Sequence, residues 1–176
     1  MYDFYGFPSE LYQIEWEARG DRELSARIGG LLSDAGFNVS FTQRGLDHGV
    51  WIPLRIAFPK LDVPLIQVSL PYPAQPELAL LLGKTLASLR REGVLLIGSG
   101  GSVHNLGRLV WSGKHSAPVA WAAEFQEWVV EALARKDVQS LLDFEESAPH
   151  SKLAHPTSEH FQPIFFSVGA ALPGDD

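Results

Sequence analysis

The sequence contains no cysteine among its 176 residues. This absence excludes disulfide bonds, zinc fingers, iron–sulfur clusters and a thiol nucleophile. Strong metal ligands must therefore come from histidine or from carboxylates. Six histidines occur in the chain, and they are the first candidates for a functional site.

The sequence also lacks an excess of basic residues and a long hydrophobic run. Fourteen Lys and Arg stand against 21 Asp and Glu, which gives a formal net charge of −7. Nucleic acid and anionic membrane are therefore not expected as partners. No apolar run approaches the ~20 residues of a membrane span, and Met1 is not followed by a basic region and an apolar signal core. We expect the chain to stay in the cytoplasm.

What is present is the composition of one globular domain, with 45% hydrophobic and 20% charged residues. We expect a single domain over residues 1–176. Periodicity and helix signals predict helices that alternate with apolar strands. This alternation favours an α/β fold with a largely parallel or mixed sheet and helices on both faces. The predicted helices are a four-turn helix from Asp21 that ends before Gly36, residues 52–58, a helix from Pro76 to about 92, residues 119–136 and residues 163–171, and the predicted strands are residues 37–41, 65–70 and 94–97.

The first stretch that could carry chemistry is residues 45–51, where His48 stands between an acidic residue and a glycine. It follows a predicted strand, and loops at strand ends are where open α/β sheets place ligands. Gly49 would let a ligand approach the backbone closely. The alternative is a turn in which Asp47 caps the following helix and His48 is merely exposed.

The second stretch places His104 after a glycine-rich turn, residues 98–101. Its spacing is not that of a dinucleotide-binding loop, and Ile97 stands where a hydrolase nucleophile elbow needs its first glycine. An imidazole on such a turn can act as acid, base or ligand near neutral pH. Alternatively, His104 caps the next helix through hydrogen bonds.

The third stretch contains His155 and His160, five residues apart, with Glu159 between them. A helical zinc pair needs a spacing of four, so only one of the two is expected to be a metal ligand. The alternative is a helix start in which Thr157 or Ser158 caps, Glu159 favours the helix dipole, and both histidines lie on the surface. Two further histidines are expected to be solvated: His115 and His150.

Four ordered motifs connect these stretches into one pattern. They are Asp-Phe-Tyr-Gly-Phe-Pro at 3–8, Gly-Leu-Asp-His-Gly-x-Trp at 45–51, Gly-Ser-Gly followed by His-Asn-Leu within 98–106, and Pro-Thr-x-Glu-His-Phe at 156–161. With them the chain resembles the class III extradiol ring-cleavage dioxygenases, in the DOPA 4,5-dioxygenase-like branch, over nearly its whole length. Such enzymes use a non-haem metal, Fe(II) or Zn(II), to bind a catechol and dioxygen and open the ring beside the two hydroxyls.

The resemblance implies a role for three histidines. His160 corresponds to a metal ligand. His104 corresponds to the imidazole beside the metal, which works as acid/base catalyst or as an extra ligand. His48 corresponds to a second-sphere catalytic group that holds substrate or dioxygen.

The resemblance also implies a segment ahead of residues 3–8 that supplies two further histidine ligands in relatives. No histidine precedes His48 in this sequence, so we expect a domain that is N-terminally truncated relative to the family. The expected function is an oxidoreductase that cleaves a catecholic ring, active only if the two missing ligands are supplied. A homo-oligomer or a complementing chain is expected as a partner. The alternative is a degenerate, non-catalytic relative that acts as a binding or scaffold protein.

Overall fold

The structure, a computed structural model, describes residues 1–109 and 117–175. The chain divides into two compact units, Met1–Ser69 and Leu70–Asp176. His115 lies outside the described residues. The expected single domain stays a prediction, because each unit is described here by itself.

The first unit contains a 3-10 helix, Ser9–Gln13, and two α-helices, α1 (Arg22–Asp34) and α2 (His48–Ala57). Helix α1 confirms the predicted four-turn helix: the Asp21 side chain accepts a hydrogen bond from the Leu24 amide, and Gly36 follows with a φ of +87°. Aspartate at the N-cap and glycine past the C-terminus are the expected end signals.

The described part of the second unit, residues 70–109 and 117–175, contains six α-helices with a core between them. The prediction of helices from Pro76, within 119–136 and from Pro163 is confirmed, and proline begins two of them, where its missing N–H costs no hydrogen bond. The buried core includes Leu80, Phe125, Phe144, Phe161 and Phe165. The helices are α3 (Pro76–Leu86), α4 (Ala120–Ala134), α5 (Val138–Leu142), α6 (Phe144–Ser147), α7 (Ser151–Ala154) and α8 (Pro163–Gly169), with 3-10 helices at Ala87–Glu92 and Leu106–Arg108.

The predicted α/β sheet is wrong for this structure, because residues 1–109 and 117–175 contain no β-strand. The three predicted strands have no regular secondary structure. Each begins with one backbone hydrogen bond: Phe37 to Leu32, Leu65 to Arg19 and Val94 to Leu89. A strand requires a ladder of such bonds to a neighbour. The apolar pattern of these segments indicates partial burial of side chains and carries no information about a pairing partner.

None of the helices that the structure describes is both long and apolar enough to cross a membrane.

Helices α3 and α8 cross at two glycines. A β-carbon added to Gly83 would lie 2.0 Å from the carbonyl oxygen of Phe166, and one added to Gly169 would lie 2.1 Å from that of Leu80. Each glycine therefore lets the backbone of the other helix come into direct contact. This crossing fixes α8, whose first residue, Pro163, lies next to the candidate site.

We expect Gly83→Ala to lower the free energy of unfolding by about 3 kcal/mol, because the new methyl group overlaps a backbone oxygen that cannot rotate away. Chemical denaturation measures this change. Gly30→Ala in α1 is the matched control, since a β-carbon there meets nothing within 4 Å. It should stabilise by about 0.5 kcal/mol, and equal effects of the two substitutions would contradict the close crossing.

The end of α8 is joined to Arg90 and to Asp175. The guanidinium donates to the carbonyl of Ala170 at 3.0 Å and pairs with the Asp175 carboxylate. The hydrogen bond from Arg90, followed by one from the Leu172 amide, lowers the pKa of Asp175 to about 2. The native state therefore favours the ionised carboxylate. The ion pair stabilises the native state at pH values above 3.8, the ordinary pKa of aspartate, and this stabilisation is lost as the pH falls towards 2.

Asp175→Asn should accordingly lower the denaturation midpoint at about pH 7, and the difference from the unsubstituted chain should shrink between about pH 4 and pH 2. Asp62→Asn is the control, since the Asp62 carboxylate lies 3.9 Å from the Lys60 ammonium and both side chains are more than 80% exposed. It should change the midpoint little at either pH. A difference for Asp175→Asn that persists at about pH 2 would show that the charge of Asp175 is not involved.

Candidate functional site

The glycine-rich loop, residues 98–105, packs against the start of α8. A β-carbon at Gly98 would lie 2.2 Å from the Pro163 carbonyl oxygen, and one at Gly100 would lie 2.5 Å from the His160 carbonyl oxygen. Both positions therefore require glycine for close backbone contact. The spacing of these glycines is not that of a dinucleotide-binding loop. Their role in this structure is to allow the loop to pack closely against the start of α8.

Hydrogen bonds hold the same loop along residues 153–160. The Gly101 amide donates to the His160 carbonyl at 2.9 Å, and the His104 amide donates to the Ala154 carbonyl at 2.9 Å. The Asn105 side-chain amide donates to the Leu153 carbonyl at 2.7 Å. These bonds place His104 beside the stretch that contains His160.

His155 supports the loop from within the core. Its side chain is 5% exposed, and Nε2 lies 2.8 Å from the carbonyl oxygen of Ser102. A carbonyl only accepts, so Nε2 carries the hydrogen. Burial lowers the pKa of His155, although the bond to Ser102 acts in the opposite direction. The alternative in which both histidines of this stretch lie on the surface is therefore wrong for His155. Its hydrogen-bond partner, Ser102, lies 53 residues away in sequence.

The rings of His104 and His160 are stacked face to face. Their centroids are 3.4 Å apart and their planes differ by 7°. The structure thus brings together two of the histidines that the sequence motifs single out. Both residues are partly exposed. Their functional roles stay predictions.

This arrangement does not fit a metal ion held by both rings. The lone pair of an imidazole nitrogen lies in the ring plane, and these two planes are nearly parallel. A cation on the lone-pair axis of one ring would lie far out of the plane of the other. Among residues 1–109 and 117–175, no three His, Asp or Glu side chains are grouped so that they could hold a metal ion.

Glu159 adds a negative charge beside the histidine pair. A hydrogen bond from Thr157 and one from its own backbone lower the pKa of Glu159, burial opposes them, and the charges of His160 and His104 contribute to the lowering. The carboxylate is therefore ionised near neutral pH, where it can favour a positive charge on an adjacent imidazole. The sequence analysis treated Glu159 only as a helix-start residue.

His48 lies in the first unit, in the first turn of α2 rather than in a loop. The Asp47 side chain accepts from the Val50 amide at 3.1 Å, so the predicted cap is present. Gln67 holds Asp47 from outside the helix, with Nε2 2.6 Å from the carboxylate. The role that the resemblance implies for His48 beside His104 and His160 stays a prediction, since these residues belong to different units.

Two other features of the second unit lie apart from the histidine pair. His150 is at the surface with Nε2 2.8 Å from Glu124. An open groove of about 440 Å³ is lined by the following residues, none of them a histidine: Arg90, Leu95, Leu96, Ser167, Ala170, Ala171 and Asp175.

Comparison with known proteins supports the motif pattern over almost the whole chain. Residues 1–174 match the family described as the catalytic LigB subunit of aromatic ring-opening dioxygenase. A 4,5-DOPA dioxygenase extradiol from Beta vulgaris is 42% identical over 173 residues, which cover 97% of this chain and 64% of that protein. A 4,5-DOPA dioxygenase extradiol from Escherichia coli K12 is 34% identical, with 97% and 63% covered.

A solved structure is similar as well. The crystal structure of an uncharacterized protein from Escherichia coli K12 matches with a TM-score of 0.80 and 32% sequence identity, over 94% of this chain and 68% of that one. The chain spans less than two thirds of the length of the curated relatives described above.

Two neighbouring glycines, Gly100 and Gly101, allow the packing of the loop against residues 160–163 to be tested. Gly100→Ala should destabilise by about 2 kcal/mol, because the added methyl group overlaps the His160 carbonyl and the ring of Pro163. Amide hydrogen exchange at His104 should become faster. Gly101→Ala should change stability by less than about 0.5 kcal/mol, since its β-carbon would meet Val103 at an ordinary 3.4 Å. Slow exchange at His104 in Gly100→Ala would contradict the docking.

Proposed function

Because the chain belongs to the family of the catalytic LigB subunit of aromatic ring-opening dioxygenase, we propose that it takes part in extradiol cleavage of a catecholic ring. The observation that supports this proposal is the stacking of His104, on the glycine-docked loop, against His160. The substrates are a catechol and dioxygen. A cytoplasmic location belongs to the same proposal.

In this proposal the three histidines divide the work. His104 accepts a proton from a phenolic hydroxyl, which an imidazole can do near neutral pH. The ionised Glu159 carboxylate favours the imidazolium that results. His160 is the metal ligand and His48 holds substrate or dioxygen. The extra-ligand role expected for His104 would require the two rings to leave their stacked arrangement.

The proposed cofactor is Fe(II) or Zn(II), although the described residues do not form its site. The two stacked histidines provide at most part of a ligand set, so the chain alone should hold either metal weakly. A second copy or a complementing chain would supply the remaining ligands. The same geometry favours the alternative of a binding or scaffold protein that keeps the fold without catalysis.

Ring-opening assays with catechol and L-DOPA under added Fe(II), alongside metal analysis, test the proposal. In a complete, active form of the enzyme, with the missing ligands supplied, His160→Ala should lose metal and turnover together. His104→Gln should keep most of its metal and turn over about 10²- to 10⁴-fold more slowly, because it lacks a proton acceptor. His150→Ala is the control, since this surface residue pairs only with Glu124 in the structure, and it should behave as the unsubstituted chain.

The outcome separates the two functions. Ring opening that depends on Fe(II) and on His160 supports the dioxygenase. The contrary result is catechol binding without ring opening at saturating Fe(II), both by the chain alone and with a complementing chain added. It would support the binding protein and contradict the dioxygenase.

A further inference from the structure

The role of the first sequence motif, residues 3–8, is not explained by the histidine pair. Within the first unit its aspartate reaches α2: Oδ1 of Asp3 accepts a hydrogen bond from the His48 amide at 2.9 Å. The same oxygen lies 3.1 Å from Nδ1 of the His48 ring. The amide makes the hydrogen bond, whereas Nδ1 lies at ion-pair distance but outside hydrogen-bond geometry.

The two ring nitrogens of His48 have different surroundings. Nδ1 is shielded from solvent, and Asp3 is the carboxylate beside it. The side chain as a whole is nevertheless 43% exposed. The exposed part of the side chain therefore does not include Nδ1.

Aromatic packing holds Asp3 where it contacts His48. The neighbouring Phe4 lies edge-on to the His48 ring, with centroids 6.1 Å apart and planes at 90°. Phe4 also packs against Tyr12 and Trp51. The contacts with His48 lower the pKa of Asp3, although burial, the largest single effect, opposes them. Asp3 is therefore an ionised acceptor at neutral pH.

We propose that Asp3 is a positioning residue that keeps the hydrogen of His48 on Nδ1 and leaves Nε2 unprotonated. A carboxylate accepts and does not donate, so it favours the tautomer with hydrogen on the nitrogen that faces it. What Nε2 then does rests on the proposed function: it is the acceptor for a hydroxyl hydrogen of the catechol. The tautomer itself does not depend on that function.

Asp3 would have only a structural role if it merely accepted the His48 amide hydrogen bond. The two roles differ in one observable, the hydrogen position on the ring. Long-range ¹⁵N–¹H spectra of the full chain at about pH 8.5, where imidazoles are neutral, distinguish protonated from unprotonated ring nitrogens. The unsubstituted chain should show His48 with hydrogen on Nδ1.

Asp3→Ala should shift His48 towards the Nε2–H form. Asp3→Asn keeps an acceptor oxygen without the charge, so it should retain more of the Nδ1–H form than Asp3→Ala. Glu124→Ala is the matched control, since Glu124 faces Nε2 of His150 at 2.8 Å. It should change the His150 signals and leave those of His48 unchanged.

The result for His48 decides the proposal whatever the activity. An Nε2–H tautomer in the unsubstituted chain, or an unchanged tautomer in folded Asp3→Ala, would overturn it. Under conditions where ring opening is observed, Asp3→Ala should reduce kcat/KM about 10-fold or more, and Asp3→Asn less. A shifted tautomer without any ring opening supports the positioning role and counts against the proposed function alone.

Discussion

The candidate site depends on one close contact between backbones. Residues 98–105 reach the start of α8 only because Gly98 and Gly100 have no side chains, and a β-carbon at either would lie within 2.5 Å of a carbonyl oxygen. The hydrogen bonds to residues 153–160 follow from this contact, and so does the stacking of His104 on His160. This contact depends on the position of α8. The close crossing of α8 with α3 at Gly83 and Gly169 fixes that position.

Local signals in the sequence were enough for the helices that have clear ends. Asp21 with Gly36, and the prolines at 76 and 163, place α1, α3 and α8 correctly, because caps and prolines act within a few residues. Strand pairing was not predictable in the same way, since residues 37–41, 65–70 and 94–97 show an apolar pattern that is independent of any neighbour. The glycines of the loop are visible in the sequence, but the backbone that they contact lies about 60 residues further along the chain.

The same distinction applies to the site. Its motifs single out His104 and His160 as functional residues, and the structure brings their rings together. His155 and Asp3 were not assigned positioning roles, because each acts on a partner about 50 residues away, the Ser102 carbonyl and His48. Short-range spacing carries no information on such contacts. His155 supports the loop that carries His104, and Asp3 sets the hydrogen position on the His48 ring.

The central claim is that the docked loop holds the His104 and His160 rings face to face. Nuclear Overhauser effects between the ring protons of these two residues test it most directly, in the full chain with selectively labelled histidine. The account predicts strong cross peaks between the two rings. Their absence, with His104 ring protons showing contacts only within residues 98–105, would contradict it.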